Sequence, residues 1–153
     1  MVLDLLAGVS IGALKPVTEK VSKALVAKVN SKLNPSDLEK ALQGGLLATQ
    51  ESEENLPQDQ RLFYRCYPDA LPGFLEKFFQ ETTVQQELQK PLTDAGTPKV
   101  EYLVRVFQQV AKEHLKREHT AARLEPWLEV FTQAYLEKTS TYLKFQVAKE
   151  DYF

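Results

Sequence analysis

Apolar residues in this chain recur at three- and four-residue spacing and almost never alternate, so the pattern predicts helices and few or no strands. Val17, Val21, Leu25, Val29 and Leu33 form one stripe, with Lys20, Lys23 and Lys28 elsewhere on the wheel. Pro16 suits the first turn of that helix, where its missing N–H would be an orphan anyway. The run before it, Val2 to Leu14, reads as a separate short helix or as the same helix kinked at Pro16. Asn34-Pro35-Ser36-Asp37 is a start signal, with Asn as N-cap, Pro at the first position and an acid facing the dipole. The helix it opens carries Leu38, Leu42, Leu46 and Leu47 toward Gln50. Gly44-Gly45 inside it costs about 1 kcal/mol per glycine against alanine, so the pair marks a weak point or the close approach of another helix.

Glu51 to Gln60 is acidic, polar and contains Pro57, which predicts an exposed loop. Shorter pieces follow, Arg61 to Tyr67, Pro72 to Gln80 and Thr83 to Lys90, punctuated by Pro68, Pro72 and Pro91. Asp94 to Pro98 reads as a turn, with Thr97 as N-cap and Pro98 at the first helical position. The next helix has Tyr102, Leu103, Val106, Phe107, Val110 and Leu115 on its apolar side. Arg117 to Ala122 is a polar break, and Pro126 is expected to start the last helix. That helix carries Trp127, Leu128, Phe131, Ala134 and Tyr135, then Tyr142, Phe145 and Val147. The expected fold class is all-α, an irregular bundle of about six or seven helices. The last helix meets no Gly, Asn or Pro stop before Tyr152-Phe153. We therefore expect 1–153 to be a single helical module excised from a longer protein.

Composition changes the picture only a little. The chain has 153 residues, 43% of them hydrophobic and 26% charged, and a formal net charge of −2. These values suit one globular domain and argue against a dedicated nucleic-acid binder. Charge is unevenly placed: residues 1–33 hold five lysines against Asp4 and Glu19, so the remainder is acidic. A lone cysteine, Cys66, excludes an intramolecular disulfide and fits a reducing cytoplasm. The N-terminus lacks a basic region ahead of its apolar run, which argues against a signal peptide. That run is also shorter than the roughly 20 residues needed to span a bilayer.

Catalytic signatures are absent from the sequence. There is no Gly-rich phosphate loop, no HExxH and no Cys-x-x-Cys, so no cofactor, metal or enzymatic role is expected. His114 and His119 are five apart and do not share a helix face, and they read as two solvent-facing side chains at a helix end. Cys66 lies between Arg65 and Tyr67, where a guanidinium would favour the thiolate, but a buried structural thiol is the better reading. Lys112, Lys116, Arg117 and Arg123 form a basic cluster without aromatics for base stacking, and a solvated helix end explains it. A nuclease depending on His114 or Glu113 would have to act without a recognisable motif.

The N-terminal segment carries the sequence's one functional signal. Val2, Leu3, Leu5, Leu6, Val9, Ile11 and Leu14 cover almost the whole helix surface. Gly8 and Gly12 form a small-xxx-small spacing that lets two backbones approach closely. A basic amphipathic stretch with Lys15, Lys20 and Lys23 follows. Leu5, Leu6, Gly8, Val9, Ile11, Gly12, Lys15, Lys20 and Lys23 are thus the candidate membrane or assembly segment. A helix apolar all round is equally the centre of a bundle, and a resting core helix is compatible with an active membrane helix.

Leu62-Phe-Tyr-Arg-Cys66, Phe74-Leu-Glu-Lys-Phe-Phe79, Val84-Gln-Gln-Glu-Leu-Gln-Lys-Pro-Leu92, Gly96-Thr-Pro98, Glu125-Pro-Trp-Leu128 and Tyr135-Leu-Glu-Lys-Thr-Ser-Thr-Tyr142 carry a resemblance. From about residue 38 onward the chain resembles the N-terminal helical region of bacterial, often cyanobacterial, NACHT-type NTPases of the STAND class. The likeness implies an effector or adaptor part of a defence or cell-death-like switch. Its implied partners are a downstream NTPase domain of the same chain and, on activation, further copies of itself. A cytoplasmic location follows, with membrane association on activation as the alternative, and no nucleic acid. The Walker-A loop is absent from this sequence, so the resemblance assigns it no nucleotide site and no catalytic residue. In arrangement alone, the apolar, Gly-containing first segment is similar to that of fungal HeLo domains and plant coiled-coil resistance domains.

Overall fold

A computed structural model of the chain describes residues 14–28, 35–63, 70–92 and 96–152, with Lys28 and 141–152 described by backbone alone. Among these residues there are six α-helices and no strand, an all-α bundle as the periodicity predicts. They are α1 (Lys15–Lys28), α2 (Pro35–Glu54), α3 (Ala70–Gln80), α4 (Thr82–Gln89), α5 (Val100–His114) and α6 (Ala121–Tyr152), with 3-10 turns at Gln58–Gln60 and Lys90–Leu92. Val29, Leu33, Asn34, Cys66 and the segment Val2 to Ala13 lie outside the described residues.

The α2–α6 pair is the spine of the bundle. Gly45 lies beside Phe131, and Glu53 beside Arg123, so the two helices run antiparallel. A Cβ on Gly45 would sit 2.7 Å from two Phe131 ring atoms and 3.1 Å from its carbonyl oxygen. Of the two readings of Gly44-Gly45, close approach is therefore right for Gly45. Gly44 has only the Lys138 side chain nearby, at 3.6 Å.

Burial follows the sequence stripes. Leu38, Leu42 and Leu46 of α2 face inward, as do Leu103, Phe107 and Val110 of α5. Aromatic rings fill the middle. Phe107 meets Phe74 at 5.0 Å and Trp127 at 5.6 Å between ring centroids, both edge-to-face. Along α6, Trp127, Phe131 and Tyr135 stack at four-residue spacing with nearly parallel planes. The buried Tyr135 hydroxyl donates to the Leu88 carbonyl at 2.7 Å, one of the carbonyls that the end of α4 leaves unpaired within the helix. Burial pushes that phenol's pKa far above its ordinary value.

Several boundaries differ from the sequence pattern, among them the start of α3, which lies at Ala70 and not at Pro72. Helix α2 continues through Glu54, so the expected loop at Glu51 loses its first turn. Glu53 extends the buried stripe and its carboxylate is held by partners across the fold, which stabilises the extra turn. No helix is present over the described residues Arg61–Phe63 of the piece expected from Arg61 to Tyr67. Helix α5 begins at Val100 with Lys99 as N-cap, two residues later than the Thr97-Pro98 signal suggests. There the buried Glu87 carboxylate of α4 accepts the Lys99 backbone N–H at 2.7 Å, and Gly96 takes φ 120° in the turn before it. A remote carboxylate thus outcompetes the local cap. Finally, α6 starts at Ala121, where Thr120 Oγ1 accepts the Arg123 N–H at 3.2 Å, and Pro126 lies inside the helix. Pro126 is tolerated because it sits on the exposed face, where the Ala122 carbonyl it fails to pair is close to solvent.

Candidate functional site

The lysine-bearing helix α1 is the described part of the segment singled out in the sequence. Val17, Val21 and Leu25, with Leu14 just ahead of the helix, form its buried side against α2, α3 and α4. Between them lie two buried hydroxyls that satisfy themselves locally. Thr18 donates to the Lys15 carbonyl at 3.2 Å, and Ser22 to the Glu19 carbonyl at 2.9 Å. Thr18 also accepts from Gln43 Nε2 of α2 at 3.3 Å.

Lys15, Lys20 and Lys23 all lie on the opposite, solvated arc. Lys20 pairs with Glu76 of α3 at 2.6 Å and Lys23 with Glu19 at 3.2 Å, with both lysine side chains about two-thirds exposed. Lys15 projects from the first turn. The structure therefore brings the three lysines to one face but ties two of them lightly to acids. Leu5, Leu6, Gly8, Val9, Ile11 and Gly12 lie outside the described residues. No described helix is long and apolar enough to cross a membrane.

At the far end of α2 is an open cleft of about 620 Å³, framed by the Gln58–Gln60 turn and the start of α6. Arg123 governs its geometry. The guanidinium donates to both Glu53 oxygens, at 3.3 and 3.4 Å, and to the Gln60 carbonyl. Glu53 also accepts the Leu62 backbone N–H at 3.1 Å. This constellation closes the turn after α2 onto α6.

His119 is the clearest departure from the sequence reading of the site residues. His114 is exposed as expected, but His119 is half-buried, its ring edge-on to Phe107 at 5.8 Å. Burial lowers its pKa, against the upward pull of the Leu62 carbonyl, and the Arg117 and Arg123 charges lower it further. Its Nδ1 and the Trp127 Nε1 are sealed from solvent without hydrogen-bond partners. The basic cluster is likewise divided: Lys112 faces Glu118 at 3.7 Å and Arg123 is occupied by Glu53. No group of three acidic, histidine or cysteine side chains suited to a metal occurs among the described residues.

Sequence reasoning missed Glu53 and Glu87. For Glu53 a signal existed, because it falls in register with Leu42, Leu46 and Thr49, where a solvated acid does not belong. Glu87 could not be found that way, since its role depends on a loop twelve residues later.

The family model described as NACHT N-terminal Helical domain 2 matches residues 10–153. No curated protein and no solved structure matches the chain.

Proposed function

This chain belongs to the NACHT N-terminal helical domain 2 family, and from that premise we propose that it is the adaptor module of a NACHT-type signalling NTPase. On this reading 1–153 is a single module, and its output is protein–protein assembly when the NTPase brings copies together. The setting is a defence or cell-death-like response in the cytoplasm. The observation that carries the reading is the family match over nearly the whole chain. The packing agrees with it: the buried side of α1 is committed to the core, so its charged arc is the part left for a partner. No chemical step is assigned to any residue.

The competing reading, perforation of a bilayer by Val2 to Leu14 with Lys15, Lys20 and Lys23 at the headgroups, rests on the sequence of that segment. Clustering the module on an inducible scaffold in bacterial cells separates the two. An adaptor loses its response when exposed helix charges are reversed and keeps it with Leu6→Glu or Val9→Glu. The opposite pattern would establish the membrane reading.

A further inference from the structure

The outer face of α6 has the opposite character to the outer face of α1. Glu125, Glu129 and Glu137 follow one another along it at four- and eight-residue spacing, with Gln133 between, and all are exposed. A four-residue step advances only slightly around a helix, so these acids form one row. Among the described residues neither Glu125 nor Glu129 has a basic partner. Lys138, the basic neighbour, is turned toward Gly44 of α2. Glu53 already occupies Arg123.

The two rows are opposite in sign, and each runs along roughly two to a little over three helical turns. Lys15 to Lys23 spans roughly 12 Å and Glu125 to Glu137 roughly 18 Å at the helical rise per residue. The ion pairs of Lys20 and Lys23 do not exhaust them, because an ammonium has three donors and a single hydrogen bond is shown for each. Within one molecule the rows stay separate. Helix α1 packs on α2, α3 and α4, whereas α6 packs on α2, α5 and the Lys90–Leu92 turn. No ion pair joins them among the described residues.

We propose that the lysine face of α1 docks on the glutamate row of α6 of a second copy of this chain. The inference rests on the assembly reading above and specifies its surface. The two patches differ, so the contact is heterologous: a joined pair keeps one face of each kind open, and association grows into a chain or closes into a ring. Such a contact is weak between free copies and becomes effective when the NTPase raises the local concentration.

The test is sedimentation velocity of the 153-residue chain over a concentration series at low and high salt, with two charge-reversed variants. One carries Glu125→Lys and Glu129→Lys, the other Lys15→Glu and Lys23→Glu. All four positions are exposed, and far-UV circular dichroism checks that both variants fold. The wild type is expected to self-associate at low salt and dissociate as salt screens the contact. Each variant alone should associate about tenfold more weakly or worse. An equal mixture should recover association, because the reversed α6 of one variant faces the reversed α1 of the other. Wild type that stays monomeric throughout overturns the inference and leaves the adaptor reading to a different partner. Self-association unchanged in both variants overturns this surface while keeping self-assembly. Loss of binding to anionic vesicles by the Lys15→Glu, Lys23→Glu variant alone, with no recovery of self-association on mixing, overturns it in favour of the membrane reading.

Discussion

Helices α1 and α6 both bury one side and expose the other, but they are held by different means. Trp127, Phe131 and Tyr135 anchor α6 in an aromatic ladder that continues into Phe107 and Phe74, and Gly45 lets its backbone close on α2. Helix α1, with Leu14 just ahead of it, has Val17, Val21 and Leu25 on its inner side, interleaved with hydroxyls bonded to their own backbone, and two exposed ion pairs outside. Ring burial and ring–ring geometry stabilise far more than peripheral ion pairs. The difference assigns α6 to the scaffold, and makes α1 the less firmly held of the two.

The largest effect should come from breaking the ladder. Trp127→Ala removes a nearly buried ring, and we expect a loss of about 3–5 kcal/mol in urea melts. A loss below about 1 kcal/mol would remove Trp127 from the core and with it the asymmetry between the helices. Next come the two glycines of α2. Gly45→Ala should cost about 1–3 kcal/mol because its methyl meets the Phe131 ring and backbone. Gly44→Ala, against a movable lysine, should be neutral or gain up to about 1 kcal/mol from helix propensity. Equal outcomes for the pair would contradict the close α2–α6 approach.

Hydrogen exchange sharpens the contrast without mutation. Amides of α1 should exchange through a partial opening of lower free energy than those of α6 between Leu124 and Tyr135. The cleft adds a pH dependence. His119 has a lowered pKa in the folded chain, so the unfolded state binds its proton more readily. Its contribution is complete above the unfolded value near 6.5 and is lost as pH falls from there through the folded value. Urea melts at pH 7.5 and 5.5 should show a smaller acid loss for His119→Gln than for the wild type. The smallest effect belongs to Lys20→Ala, which removes an exposed pair and should cost under about 1 kcal/mol, less still at high salt.

The helices were legible because burial imposes a period on sequence, and Val17, Leu42, Phe107 and Phe131 each fall where that period puts them. Starts and stops were less legible, since they depend on partners distant in sequence. Glu87 caps α5 from α4, and Pro126 looks like a helix start until Thr120 is seen to hold the true one. At the candidate site the lysines of α1 stood out because they follow an apolar run. The glutamate row of α6 did not, because an acidic helix face is ordinarily just solvated. Its meaning depends on what another copy presents.

The measurement that bears most directly on the adaptor reading is dye release from anionic vesicles by the purified chain, beside a copy lacking residues 1–14, each free and clustered on a scaffold. The adaptor reading predicts sealed vesicles in all four conditions with both proteins folded. Leakage by the clustered full chain that disappears with the truncation would contradict it and identify the N-terminal segment as a membrane effector.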